Sequence, residues 1–385
     1  MRKPNIDIIW NISLVCPWDC EFCCTDAIHV TKKNNSITSK ENSLETERLI
    51  NDDCLGFFCE KYPNIIPNKF DLALVDRQKR GIEPSYKDKI TIINTFKDLN
   101  VNIDFAGGDP LACYENFLVI KEASRILGKE SISITSTGLI GNRYNLLELS
   151  SIIGEFEFTY DEPSDMKEHN RPKGYSYINL SFAKKMSELG VKTKAQLPIH
   201  TGNLSKVKIA SIYKDLCESG INELLLMRTF PVGRGGKHLN KKSISKDNIL
   251  FVINEFKRIA RNDGTKIRLQ CALKHLEDNK PSTNPCDLMS HSFGINFEGK
   301  LLISAWANGS NGYPISDDFI LGDLKESSFK QISNSEKFLR YKEKLDLNFG
   351  HCKIFSYIYG HQTNEAALFS KTDPLYSKNI FLKHI

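Results

Sequence analysis

The chain has 385 residues, 40% apolar and 26% charged, with a formal net charge of +5. This is the balance of an ordinary soluble globular protein, long enough for one large α/β domain and a smaller one. The charge is spread without a basic block, which argues against nucleic acid as a partner. No stretch is long and apolar enough to cross a bilayer, and Asp7 interrupts the run a signal peptide would need. Eleven cysteines without such a signal point to a reducing cytoplasm and to metal or redox use.

Ile6 to Val15 reads as a buried strand that ends in C-P-W-D-C-E-F-C, carrying Cys16, Cys20 and Cys23. Three thiolates at C-x3-C-x2-C spacing can turn to one point from one short loop. They can hold three irons of a [4Fe–4S] cube and leave the fourth open to a substrate or cofactor. A zinc site would prefer paired C-x2-C units and a fourth protein ligand. Cys24 is the candidate, but on an extended loop it would point away from its neighbour Cys23. A disulfide framework suits small secreted domains, not this chain.

The segment 27–85 interrupts the pattern with a polar stretch, a modest helix and the apolar run Leu55-Gly56-Phe57-Phe58. Its reading is a solvated insertion or a lid over the cysteine loop, beside which both its ends sit. Cys54 and Cys59 within it have no metal-type spacing and are taken as ordinary thiols. A helix is expected from Tyr86 to Leu99. A βα series follows: strands at Val101 to Ala106, Ser131 to Thr135, Phe156 to Tyr160, Val191 to Ile199 and Glu223 to Arg228. Helices lie between them, at Tyr114 to Leu127, Leu146 to Ile153, Tyr177 to Leu189 and Leu204 to Glu218. Such alternation predicts a parallel sheet whose ligands lie at the strand C-terminal ends, where the cysteines and Gly107-Gly108 fall.

The cysteine spacing, with Phe22 before the third thiol, resembles the signature of the radical S-adenosylmethionine (SAM) superfamily. The resemblance implies a partial (β/α)6 barrel, TIM-like but open on one side. It also implies that SAM chelates the open iron through its amino and carboxylate groups. Gly107-Gly108-Asp109-Pro110 resembles the GGE motif that receives the SAM amino group, with Asp109 in place of Glu. Thr159-Tyr160-Asp161 and His169-Asn170-Arg171-Pro172-Lys173-Gly174 resemble the S-x-D and H-D-x-x-R-G segments, so that Thr159 and Arg171 would bind the SAM carboxylate. Ser136-Thr137-Gly138 resembles the T-N-G turn on the ribose side. Gln196 and Leu226 would face ribose and adenine. Phe230-Pro231-Val232-Gly233-Arg234-Gly235 resembles the stretch at the barrel exit; it lacks the lysine and hydroxyl of a phosphate-binding loop.

The remainder resembles a worn SPASM/twitch domain of α+β type. Cys286 leads into a hairpin turning at Glu298-Gly299, and Leu321-Gly322-Asp323-Leu324 precedes a helix at Phe329 to Ser333. The next ligand position carries Ser304 instead of a thiol. Cys271, Cys286 and Cys352 remain, with His291 or His351 nearby in sequence, which is short of the four ligands of a full auxiliary cluster. The expectation is therefore one catalytic cluster and an empty scaffold.

The chain thus reads as a core barrel over 1–240, including the 27–85 insertion, and a smaller domain over 241–385. The expected activity is SAM cleavage followed by hydrogen abstraction, fed by an external one-electron reductant such as flavodoxin or ferredoxin. A peptide is the favoured substrate. The alternatives are a small metabolite or sugar, an RNA, or a non-catalytic metal-binding module.

Overall fold

The computed structural model describes residues 6–34, 36–41, 46–164, 171–236, 244–274, 276, 284–362 and 364–376. The barrel strands are β1 (Ile6–Ser13), β6 (Val101–Gly107), β7 (Ile132–Thr135), β8 (Glu155–Thr159), β9 (Lys192–Ile199), β10 (Glu223–Arg228) and β11 (Lys266–Leu269). Each neighbouring pair among them is parallel. Helices α3 (Tyr86–Asn94), α4 (Tyr114–Leu127), α5 (Leu146–Ile152), α6 (Tyr175–Glu188), α7 (Lys206–Glu218) and α8 (Lys246–Ile259) form the connections. The helix expected to reach Leu99 stops at Asn94, and β11 is a parallel strand that the βα pattern did not announce. The result is an open parallel sheet of the expected α/β class.

Strand periodicity places the core. Side chains alternate across a strand, so Ile8, Trp10, Ile103, Phe105, Ile134, Phe156, Phe158 and Leu226 turn outward, where they are buried with α4, α6 and α7 side chains such as Phe117, Phe182 and Ile212. Each such side chain contributes about 1.5–3 kcal/mol on burial. The alternate residues turn inward and are largely polar: Asp104, Thr135, Glu157, Lys194 and Gln196 line the cavities of the barrel interior.

The carboxy-terminal strands β12 (Ser292–Ile295), β13 (Lys300–Leu302) and β14 (Ile320–Asp323) extend this same sheet. β12 runs parallel to β1, pairing Asp7 with Ser292 and Trp10 with Ile295, and β13 returns antiparallel through the expected turn at Gly299. Four further helices, α9 (Cys271–Lys274), α10 (Phe329–Ser333), α11 (Glu336–Glu343) and α12 (Lys353–Tyr359), accompany these strands.

The insertion is a packed layer. Strands β2 (Val15–Cys16), β3 (Ile28–Lys33), β4 (Ser36–Glu41) and β5 (Thr46–Leu49) form a second sheet. It backs onto α1 (Asp53–Lys61) and α2 (Lys69–Lys79) through Val30, Ile50, Phe58, Phe70 and Leu74. Buried polar bonds pin it down: Glu83 accepts from Arg77 Nε at 2.6 Å and from Leu14 N at 3.1 Å, and Glu115 accepts from Lys61 at 2.7 Å. Among the described residues it contributes only Ala27 to the interior cavities. It buttresses the back of the cysteine strand, with Cys16 paired to His29.

Candidate active site

At the C-terminal ends of the strands lies a cavity of about 180 Å³ whose walls include Cys16, Cys20, Phe22, Cys23, Gly107, Gly108, Ser136, Thr159, Arg171 and Gln196. Residues far apart in sequence meet there because parallel strands deliver all their C-terminal ends to one face. Cys16 and Cys20 are buried and Cys23 is half-buried. Burial pushes the Cys16 thiol well above its usual value, reinforced by Asp109 and the other two cysteines; Cys20 rises to about 11. Sulfurs this desolvated become thiolates when they ligate a cation. Among the described residues no three His, Cys, Asp or Glu side chains converge closely enough to hold a single ion. A multi-iron cube, whose ligands bind different irons, does not require that convergence, so the donor set fits an iron–sulfur cluster.

Cys24 departs from expectation. It also lines the cavity, and its thiol is pushed up to about 12 by burial and by Cys23. The backbone at 21–25 is a pair of turns, so the alternation of an extended strand does not apply.

Gly107 and Gly108 are required by packing. Gly107 has φ +116°, and a Cβ on it would come within 3.0 Å of the Ser13 carbonyl; one on Gly108 would do the same at Val15. The pair thus lets β6 close on the strand that carries Cys16. Asp109, expected at the SAM amino group, is fully buried and absent from the cavity wall. Its carboxylate accepts from Ser136 Oγ at 2.8 Å, from Thr137 N at 3.2 Å, from Thr137 Oγ1 and from Leu111 N at 3.0 Å. It braces the 136–138 turn instead. Leu226 is likewise corrected: it lies in the outer apolar core, and alternation places Met227 at the cavity in its stead.

Arg171 lines the cavity as a paired cation. Its Nε and Nη2 donate to Asp161 Oδ2 at 3.0 and 2.7 Å, and its guanidinium lies 5.1 Å from the Tyr175 ring centre. Despite burial, Arg171 and then His200 hold the Asp161 carboxyl well below the usual carboxylate range. Phe22 stands 6.2 Å from His200, ring to ring. The motif residues His169 and Asn170 lie outside the described residues.

A second cavity of about 680 Å³ lies below and shares Ile9, Asp104, Gln196, Met227, Phe230 and Trp306 with the first. Its polar wall is an ion-pair ladder. Lys194 pairs with Glu155 and, at 2.7 Å, with Glu157, which also accepts from Gln196 at 2.7 Å. Asp104 accepts from Thr135 at 2.8 Å, but its Oδ1 is buried without a hydrogen-bond partner. Burial, then the neighbouring Glu157, raises its carboxyl to about 8. Cys271, Cys286 and Cys352 share another wall of this cavity. Phe230 stacks on Trp306 at 5.2 Å where the two cavities meet.

Motif reading assigned no role to Asp104, Asp161, His200 or Arg234. The signals were a lone acid in an apolar strand for Asp104, the last residue of Thr-Tyr-Asp for Asp161, and the arginine between two glycines for Arg234.

No protein-family model matches the sequence, and no curated protein does. Solved structures share its fold. Streptococcus suis SuiB superposes with a TM-score of 0.56 at 14% identity, over 86% of this chain and 66% of SuiB. Structures of SuiB with S-adenosylmethionine and with its precursor peptide SuiA align similarly, at TM-scores of 0.56 and 0.55. Native anSMEcpe with bound AdoMet gives 0.54 at 14% identity, over 87% of this chain and 82% of its own. The chain spans about two thirds of the length of SuiB. Its fold is the one these solved structures share.

Proposed function

We propose that this chain is a radical SAM enzyme in which Cys16, Cys20 and Cys23 hold a [4Fe–4S] cluster and SAM lies beside it in the upper cavity. The observation that carries this reading is that one cavity gathers the three thiols, the Gly107-Gly108 turn, Ser136, Thr159, Arg171 and Gln196. When bound, such a cluster supplies the electron that cleaves SAM to methionine and a 5′-deoxyadenosyl radical, which takes hydrogen from the substrate. The chain's own residues do the rest. Arg171, held by Asp161, presents a fixed positive charge at the wall nearest Cys20, where a carboxylate would sit. Trp18, Phe22, Phe230 and Trp306 give the cavity aromatic walls that exclude water and competing hydrogen donors. The lower cavity, joined at Asp104 and Gln196, is the substrate chamber.

A peptide is the proposed substrate. Support comes from SuiB, solved with a precursor peptide, and from anSMEcpe, solved with AdoMet and a Cp18Cys peptide. A flavodoxin or ferredoxin is the proposed electron donor, in a cytoplasmic setting. The test is anaerobic reconstitution with iron and sulfide, reduction by dithionite and assay of SAM: 5′-deoxyadenosine and methionine should form, faster when the cognate peptide is added. No cleavage by protein that carries a [4Fe–4S] cluster would sink the reading.

A second metal centre is favoured by one observation. Cys271, Cys286 and Cys352 line one wall of the lower cavity together, and three thiols can hold three irons of a cube. Iron analysis decides: about four irons per chain means one cube and about eight means two.

A further inference from the structure

The segment that follows β10 packs onto the cysteine loop, with Arg234 at the contact. Arg234 is 9% exposed. Its guanidinium donates to the Cys20 carbonyl at 2.9 Å, the Ala27 carbonyl at 2.5 Å, Asp26 Oδ1 at 3.2 Å and Asp19. Its backbone N donates to the Cys23 carbonyl at 2.9 Å. Gly233, at φ +56°, makes that approach possible: a Cβ there would lie within 3.0 Å of the Cys23 and Cys24 carbonyls. Asp26, itself at φ +49°, accepts from Asn311 N at 2.7 Å on its other oxygen, while Gly233 N donates to Asn308 O at 2.8 Å. The barrel exit and the 308–312 loop thus close on the cysteine loop together.

We infer that Arg234 is the positioning residue of the cysteine loop and, with Asp26, sets the electrostatic surroundings of the cluster. The inference rests on the proposal that Cys16, Cys20 and Cys23 hold a [4Fe–4S] cluster. Five donated bonds from one residue fix the backbone on both sides of Cys20 and Cys23, so sulfur positions are set before any iron binds. The guanidinium is a permanent positive charge beside the loop. Adding an electron makes a cluster more negative, so a nearby cation favours the reduced state and a nearby carboxylate opposes it. Arg234 pairs with both Asp26 and Asp19, and the guanidinium and the Asp26 carboxylate act on the cluster with opposite sign.

That opposition provides the test. Full-length wild type, Arg234→Gln, Arg234→Lys and Asp26→Asn are reconstituted anaerobically. Iron and sulfide are counted, and the midpoint potential is read by titration with electron paramagnetic resonance. Asn tolerates a left-handed backbone, so Asp26→Asn keeps the loop conformation. Arg234→Gln should lose iron and shift the potential more negative. Asp26→Asn should shift it less negative. Arg234→Lys should keep the potential near wild type but retain iron less well, because one ammonium cannot serve the fork's acceptors. Potentials moving the same way in Arg234→Gln and Asp26→Asn, or not moving, would overturn the inference. If Arg234→Gln does not fold, Asp26→Asn and Arg234→Lys carry the same decision. A wild type that takes up no [4Fe–4S] cluster would overturn the functional reading and this inference with it.

Discussion

Arg171 holds Asp161 through two guanidinium nitrogens, at 3.0 and 2.7 Å, inside the wall of the cysteine cavity, where the two side chains are 8% and 1% exposed. A buried ion pair of this geometry is costly to break from one side, since the surviving charge is left unpaired. The pairing turns a motif arginine into half of a preset charge pair.

Arg171→Ala should therefore lower stability by about 3–5 kcal/mol, read by urea denaturation. It should also weaken SAM binding roughly ten- to a hundredfold, the cost of a charge-assisted bond. Asp161→Asn keeps the guanidinium, so it should lose stability while holding SAM affinity near wild type by calorimetry. If Asp161→Asn loses as much affinity as Arg171→Ala, the arginine acts only through the fold.

Replacing Cys16, Cys20 and Cys23 together with Ala should abolish SAM cleavage and remove the [4Fe–4S] absorption band of the catalytic centre. Cys24→Ala should retain both, although its thiol lines the same cavity. Equal loss of cleavage in Cys24→Ala would show that the ligand set is wrong.

Asp109 should behave as a brace. Asp109→Ala leaves Ser136, Thr137 and the backbone N–H groups of Leu111 and Thr137 without their acceptor, at about 1–3 kcal/mol for each buried group left unsatisfied. The expected outcome is a lowered melting temperature. A variant as stable as wild type with selectively weakened SAM binding would restore the direct SAM contact that its motif resemblance implies.

Asp104 makes stability depend on pH in the alkaline direction. Its folded carboxyl titrates at about 8 against about 3.9 in an unfolded chain, so between these values the native state holds a proton that the unfolded state has released. Stability from this source is complete below about pH 4 and is lost as pH rises towards 8. Asp104→Asn cannot ionise. Its melting temperature should fall less than that of wild type between pH 5 and 8.5. Parallel profiles for the two proteins would remove the charge-strained carboxyl from the account.

What was legible in the sequence was local. The C-x3-C-x2-C spacing, the glycine pair after a strand, the period of the βα units and the Glu298-Gly299 turn are short-range patterns, and the expected strands formed near their expected bounds, while the helix from Tyr86 ended at Asn94. Alternation along strands also decides which side chains face inward, and applied to Glu223–Arg228 it separates Leu226 from Met227. Tertiary structure decided what those patterns do. Only the assembly of the parallel sheet sets Asp109 under the 136–138 turn and seats Arg234 on the cysteine loop 208 residues before it. The insertion became a buttress through Glu83 and Glu115, whose partners no spacing rule connects. The carboxy-terminal strands joined the barrel sheet because the edge of β1 offered unpaired backbone groups, which β12 satisfies. Local preference is encoded over a few residues. The pairing of buried charges and sheet edges depends on chain segments far apart in sequence, and folding alone brings them together.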